Sequence, residues 1–154
     1  MSLVYVAGPL FNSHERRYLE QIAAALEGAG FTTYLPHRDA GVLDKSRPDE
    51  RTRVFQADLE ALNACDLCVA LLTGADHDSG TSLELGYLFA QGKACFGITD
   101  DVRTSSLNNM IWGVCGQGKH VVARIEDLVP LIQQVMSDSE LKGQTHRSSP
   151  TNAG

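Results

Sequence analysis

A chain of 154 residues is long enough for one domain with its own core and short for two. It carries 19 Asp and Glu against 13 Lys and Arg, a formal net charge of −6, which argues against a nucleic-acid binder because such a protein would show a basic face. Hydrophobic content of 43% and charged content of 21% are ordinary globular usage, and no apolar run approaches the roughly 20 residues that span a bilayer. The opening MSLVYVAGPL has neither a basic n-region nor a long apolar segment, so a cytoplasmic setting is the default expectation.

In chain order, LVYVA (Leu3 to Ala7) reads as a first strand, followed by the turn Gly8-Pro9. A helix from about Ser13 to Glu27 follows, because Leu19, Ile22, Ala23 and Leu26 fall at i, i+3, i+4 and i+7; Gly28 and Gly30 stop it. FTTYL (Phe31 to Leu35) is a second strand, and the polar stretch Pro36 to Pro48 is long enough for a functional loop. Arg51 to Asn63 makes a second helix with Val54, Leu59 and Leu62 available for the core, and CVALLT is the most hydrophobic strand, expected at the centre of the sheet. A third helix, Gly80 to Gln91, precedes a fourth strand, Ala94 to Ile98. Ser106 to Val114 reads as helical, HVVAR (His120 to Arg124) as a fifth strand, and Glu126 to Met136 as a last helix using Leu128, Leu131, Ile132 and Val135. The alternation predicts a single α/β domain over residues 1–136, a flavodoxin-like, doubly wound, five-stranded parallel sheet flanked by helices. Residues 137–154 lose the apolar pattern and read as a polar C-terminal tail.

Cys65 and Cys68 have C-x-x-C spacing, with Cys95 and Cys115 further on. No second C-x-x-C or finger-spaced His pair follows, and in a strand an odd spacing points two side chains to opposite faces, so buried, inert thiols are expected and no metal site.

Ligands of doubly wound sheets sit at the carboxyl ends of the strands, which selects AGPLFN, PHRDAG and TGADHDSGTSLELGY. In the last, Glu84 is expected in the first turn of a helix, where the N-terminus would hold its carboxylate ionised, ready to act as nucleophile or base. A plainer reading stands beside it: Thr81 and Glu84 have capping-box spacing, and Asp78 suits an N-cap. Asp58 reads equally as a solvated helix residue, whereas Asp66 at the entry of the central strand is expected to be hydrogen-bonded.

YVAGPLF, an Asp in the second helix, CD-x-x-VALLTG, D-x-GT-x-x-ELGY-x-x-A-x-GK and N-x-M, in this order over Leu3 to Val114, resemble the nucleoside 2-deoxyribosyltransferase family. The resemblance implies exchange of the base of a 2'-deoxynucleoside for a free nucleobase through a covalent deoxyribosyl-enzyme intermediate, with no cofactor and no metal. It makes Glu84 the nucleophile at C1', Tyr5 at the end of the first strand the residue that orients it, and Asp58 the group that helps protonate the departing base. Asp78 would hold the sugar hydroxyls, chiefly the 5'-OH, with Gly8 and Phe11 also in the substrate site. Asn108 and Met110 match family positions that reach into a neighbouring subunit's site, implying a homo-oligomer with shared pockets; for Asn108 a helix cap and for Tyr5 a packed strand tyrosine are the plain alternatives. Gly92-Lys93 is followed by Ala94 where the family commonly has proline. A related group hydrolyses 2'-deoxynucleoside 5'-monophosphates and must accommodate a phosphate. Asp78 stands where those hydrolases have a hydroxyl residue, and a second anion beside it would be repelled. Transferase is therefore the expectation, with the N-glycosidase and a non-catalytic nucleoside-binding module as alternatives.

Overall fold

The computed structural model describes residues 1–41, 44, 46–74, 76–101 and 107–145. Five parallel strands form one sheet in the order β2-β1-β3-β4-β5, with β1 Leu3–Ala7, β2 Thr32–Tyr34, β3 Leu67–Leu71, β4 Ala94–Ile98 and β5 Val121–Val122. This is the flavodoxin-like order, and the chain reverses its direction of sheet growth between β1 and β3. Six helices connect and cover the strands: α1 Ser13–Gly28, α2 Pro36–Asp39, α3 Pro48–Ala64, α4 Ser79–Ala90, α5 Asn109–Val114 and α6 Ile125–Thr145.

Side-chain alternation along each strand divides the core into two layers. Val4, Val6, Leu67, Val69, Leu71, Phe96 and Ile98 point to the face packed by Leu19, Ile22 and Leu26 of α1 and by Leu128 and Ile132 of α6. Tyr5, Ala7, Cys68, Ala70 and Cys95 point the other way, against Ala61 and Leu62 of α3, Leu85 and Leu88 of α4 and Ile111 of α5. Every residue of β3 is buried, as a central parallel strand requires. A Cβ on Gly8 would stand 2.7 Å from Leu19 Cδ2 and 3.0 Å from Leu71 Cβ, so glycine lets the turn after β1 sit directly on the core. Asp66 is tied down as expected, accepting from the Leu3 backbone N–H at 2.8 Å.

Several expectations change. Cys65 is not in the strand but caps the C-terminus of α3, so strand alternation does not apply to it; Cys65, Cys68, Cys95 and Cys115 all lie buried in the same layer. They remain unpaired thiols, with burial pushing Cys95 up to about 12 and Cys115 up to about 11. Of the three α3 residues assigned to the core only Leu62 is buried; Val54 and Leu59 are half-buried, Leu59 at the edge of a cavity. The Pro36 to Pro48 stretch is not wholly a loop: Pro36 opens α2 and Pro48 opens α3, proline being suited to a first helical turn. Val42, Leu43 and Lys45 lie outside the described residues. The helix expected from Ser106 begins at Asn109, and Ser106 lies outside the described residues. β5 is only two residues long. The last helix runs to Thr145 rather than ending at Met136, continuing past the apolar stripe into polar sequence; residues 146–154 lie outside the described residues. No helix among the described residues is long and apolar enough to cross a membrane.

Candidate active site

β1 and β2 pair with Tyr5 opposite Tyr34, so both rings leave the sheet on the face covered by α3 and α4. They stack with centroids 5.5 Å apart and planes at 23°. The Tyr5 hydroxyl donates to Glu84 Oε1 of α4 at 2.7 Å, and the Tyr34 hydroxyl donates to Asp58 Oδ1 of α3 at 2.9 Å. Two carboxylates from different helices are thus each held by a phenol from a neighbouring strand.

Asp58 and Glu84 line one cavity of about 270 Å³, walled by Phe55, Leu59, Leu62, Leu83 and Tyr87. The apolar walls have an electrostatic consequence. Burial pushes the Glu84 carboxyl from its ordinary 4.5 up to about 7; the Tyr5 hydrogen bond pulls down, and the charges of Asp58 and Asp78 add to the rise. Burial also raises Asp58, against the opposing hydrogen bond from Tyr34. Tyr5 itself is driven far above the phenol range, by burial first and then by Glu84 and Asp58, so its proton stays on the oxygen. The expectation that a helix N-terminus keeps Glu84 ionised is therefore wrong. The N-cap of α4 is Asp78, six residues before Glu84, so the carboxylate lies beyond the first turn where the dipole acts, and desolvation dominates. The Thr81–Glu84 capping box is absent for the same reason. Asp78 Oδ2 accepts from the Thr81 backbone N–H and hydroxyl, each at 2.8 Å.

Tyr5 is the middle residue of β1, not its end, and is wholly buried. It reaches the site because the strand alternation aims it at α4. Asp78 lines a different cavity, of about 530 Å³, with Pro9, Phe11, Asn12, Thr73 and Asp76; Phe11 is 72% exposed at its rim, and Gly8 is explained by core packing. Asn108 and Met110 do not join Glu84 within the chain. They line a cavity of about 400 Å³ on the other flank of α4, with His77 and Ser82, where Asn108 caps α5 by accepting from the Met110 N–H at 2.8 Å. His37, Arg38 and Asp39, of the PHRDAG segment selected for ligands, are engaged away from the carboxylates: His37 Nε2 lies 3.1 Å from Glu20, Arg38 donates to Glu27 and to the Thr33 carbonyl, and Asp39 accepts from the Leu35 N–H. Among the described residues no group of three or more His, Cys, Asp and Glu is placed to hold a metal ion.

Sequence reasoning overlooked Tyr34, although it ends a strand at the sheet edge selected for ligands. It also overlooked how the backbone donors beside Asp78 are occupied. Glu15 accepts from the Phe11 and Asn12 N–H groups, Asn12 Oδ1 accepts from those of His14 and Glu15, and Asp101 accepts from the Gly74 N–H and the Thr73 hydroxyl. The Asn12…Glu15 spacing was a readable capping-box signal; the Asp101 contact, 27 residues from Gly74, was not.

The model of a family described as nucleoside 2-deoxyribosyltransferase matches residues 4–142. A Thermofilum pendens protein named "Putative 2'-deoxynucleoside 5'-phosphate N-hydrolase 1" is 26% identical over 141 residues, covering 91% of this chain and 95% of its own. An uncharacterized Schizosaccharomyces pombe protein is 29% identical over 122 residues, 71% of this chain, and this chain spans 58% of that relative. Among solved structures, a conserved protein from Enterococcus faecalis V583 superposes with TM-score 0.71 at 30% identity, covering 87% of this chain and 98% of that one. A 2-deoxyribosyltransferase from Bacillus psychrosaccharolyticus superposes with TM-score 0.72 at 23% identity, covering 82% and 90%, a likeness of fold.

Proposed function

The chain belongs to the nucleoside 2-deoxyribosyltransferase family, and from that premise we propose that it exchanges the nucleobase of a 2'-deoxynucleoside for a free base. The observation that carries this reading is the Tyr5–Glu84 hydrogen bond of 2.7 Å inside a cavity that Glu84 shares with Asp58. The phenol fixes Oε1 and leaves the other carboxylate oxygen for attack. Glu84 forms a bond to C1' as the glycosidic C–N bond breaks, and the electron pair of that bond leaves with the base, which takes a proton from Asp58. The arriving base attacks C1' from the vacated face, displaces the Glu84 carboxylate and returns a proton to Asp58. Two displacements retain the anomeric configuration, as in retaining glycosidases. Water in place of the second base gives slow hydrolysis.

Family membership alone leaves room for action on 5'-monophosphates, as the name of the Thermofilum relative describes. Occupancy of the donors beside Asp78 favours a free 5'-OH. A phosphate needs unpaired N–H groups or cations. Here Glu15, Asp78 and Asp101 already accept from those N–H groups, and Asp76 and Asp78 face the same cavity. At about 4 Å each carboxylate would oppose a phosphate by about 1 to 4 kcal/mol. In the same reading Asp78 accepts from the 5'-OH, Phe11 covers the sugar, and Asn108 and Met110 complete a neighbouring subunit's site in a cytoplasmic homo-oligomer serving nucleoside salvage.

Incubation with deoxyinosine and adenine tests the reading. Deoxyadenosine and hypoxanthine are expected; hypoxanthine released only from the 5'-monophosphate would establish the hydrolase instead, and no reaction with either would leave a binding module. Glu84→Ala is expected to lower exchange by at least about 1000-fold with the fold retained, and near-normal turnover would remove Glu84 from the nucleophile's role.

A further inference from the structure

Tyr34 and Tyr5 are register partners in adjacent parallel strands, stacked ring on ring, yet each hydroxyl ends on a different carboxylate. Tyr34 is only half-buried, and its hydroxyl is directed to Asp58 Oδ1 at 2.9 Å. A phenol bonded to a carboxylate donates its single proton, and that favours the charged form of the acceptor. We propose that Tyr34 is a positioning residue for base exchange: it pins one oxygen of Asp58, aims the other at the nucleobase, and sets the pH at which Asp58 releases and regains the proton. The proposal rests on the base-exchange reading for its consequence and on geometry alone for the pairing.

The proton balance is closed. When the base departs, the proton on the free Asp58 oxygen moves to a base nitrogen and Asp58 becomes a carboxylate, held by the Tyr34 O–H. When the second base arrives, its N–H proton returns to the same oxygen. Tyr34 keeps its own proton throughout, since burial, the bond to Asp58 and the charges of Asp58 and Asp39 raise its phenol, with only Arg53 acting the other way. The other groups that act on this pair are Tyr5 from β1 and Glu84 from α4, both through Asp58.

Tyr34→Phe keeps the ring stack and removes only the donor. In protein carrying ¹³C-labelled Asp and Glu carboxyls, the Asp58 midpoint is expected to rise in Tyr34→Phe, because a bond to its charged form is gone. The Glu84 midpoint is expected to fall, because Asp58 stays neutral to higher pH and no longer repels it. Exchange should show kcat lowered about tenfold with KM within about twofold. A mere structural tether between β2 and α3 would change stability and leave both midpoints in place, and unmoved midpoints overturn the proposal. The titration is read in the free protein, so it is independent of turnover. Shifted midpoints without exchange in the wild type would remove the functional reading and keep the Tyr34–Asp58 device; exchange with unmoved midpoints would do the reverse. If Tyr34→Phe does not fold, the wild-type Tyr34 Cζ resonance decides: a step at the Asp58 midpoint supports the pairing, and a flat line sinks it.

Discussion

Glu84 has conflicting demands placed on it. As the proposed nucleophile it must be ionised, while its apolar cavity pushes it from 4.5 up to about 7. Two consequences follow from the sign of that shift. Activity expressed as kcat/KM is expected to rise with pH through about 7 as the carboxylate forms. Stability runs the other way. A carboxyl whose folded value is raised binds its proton more tightly in the native state, so the contribution is full below pH 4.5 and is lost as pH climbs through about 7. Glu84→Gln, a neutral isostere, removes that dependence. Between pH 4.5 and 8 the wild type should therefore lose on the order of 3 kcal/mol relative to Glu84→Gln, measured by urea unfolding at several pH values. Parallel curves for the two proteins would show that Glu84 is solvated like a surface acid.

At the scale of elements, the turns after the strands do more than connect. The β1–α1 turn is compact because Gly8 lies against Leu19 and Leu71, and α1 then starts on the Asn12–Glu15 capping box, which uses N–H groups beside the cavity that Asp78 lines. The α4 N-terminus is likewise closed by Asp78. A methyl group at position 8 must displace buried Leu19. Gly8→Ala is expected to cost about 1 to 3 kcal/mol in denaturant unfolding, with any loss of exchange following from the moved turn. A variant of unchanged stability would mean that Gly8 is there for a ligand rather than for packing.

For the whole molecule, the notable surface is apolar. Phe55, Leu83, Phe89, Met110 and Trp112 are 59%, 73%, 55%, 75% and 46% exposed; all lie on α3, α4 and α5, where Phe55 and Leu83 wall the carboxylate cavity and Met110 lines the cavity on the other flank of α4. An aqueous monomer rarely leaves so many large side chains uncovered on neighbouring helices. With the proposed sharing of sites between subunits, sedimentation equilibrium is expected to give a multiple of the 16.7 kDa chain mass. Met110→Asp should shift that distribution toward monomer and lower exchange, while a wild type that sediments as a monomer would end the shared-site proposal.

Periodicity was enough for the α1 face and the central strand: Leu19, Ile22, Ala23 and Leu26 were legible as one helix face, and β3 as a buried run, because burial of a face is a local pattern. The motifs from YVAGPLF to N-x-M, taken together in their order, likewise pointed to the family. The end of α6 and the start of α5 were not legible, since polar sequence is compatible with both helix and loop. What only the tertiary structure decided are relations between residues remote in the chain. Tyr5 meets Glu84 across 79 positions and Tyr34 meets Asp58 across 24, and both follow from strand register and helix placement. The proton affinity of Glu84 is likewise a tertiary property. The first-turn place expected from the sequence pointed to an ionised acid; Glu84 lies beyond that turn, and the surrounding apolar walls, supplied largely by α3, raise its pKa, because desolvation sums over everything packed around a charge whichever part of the chain it comes from.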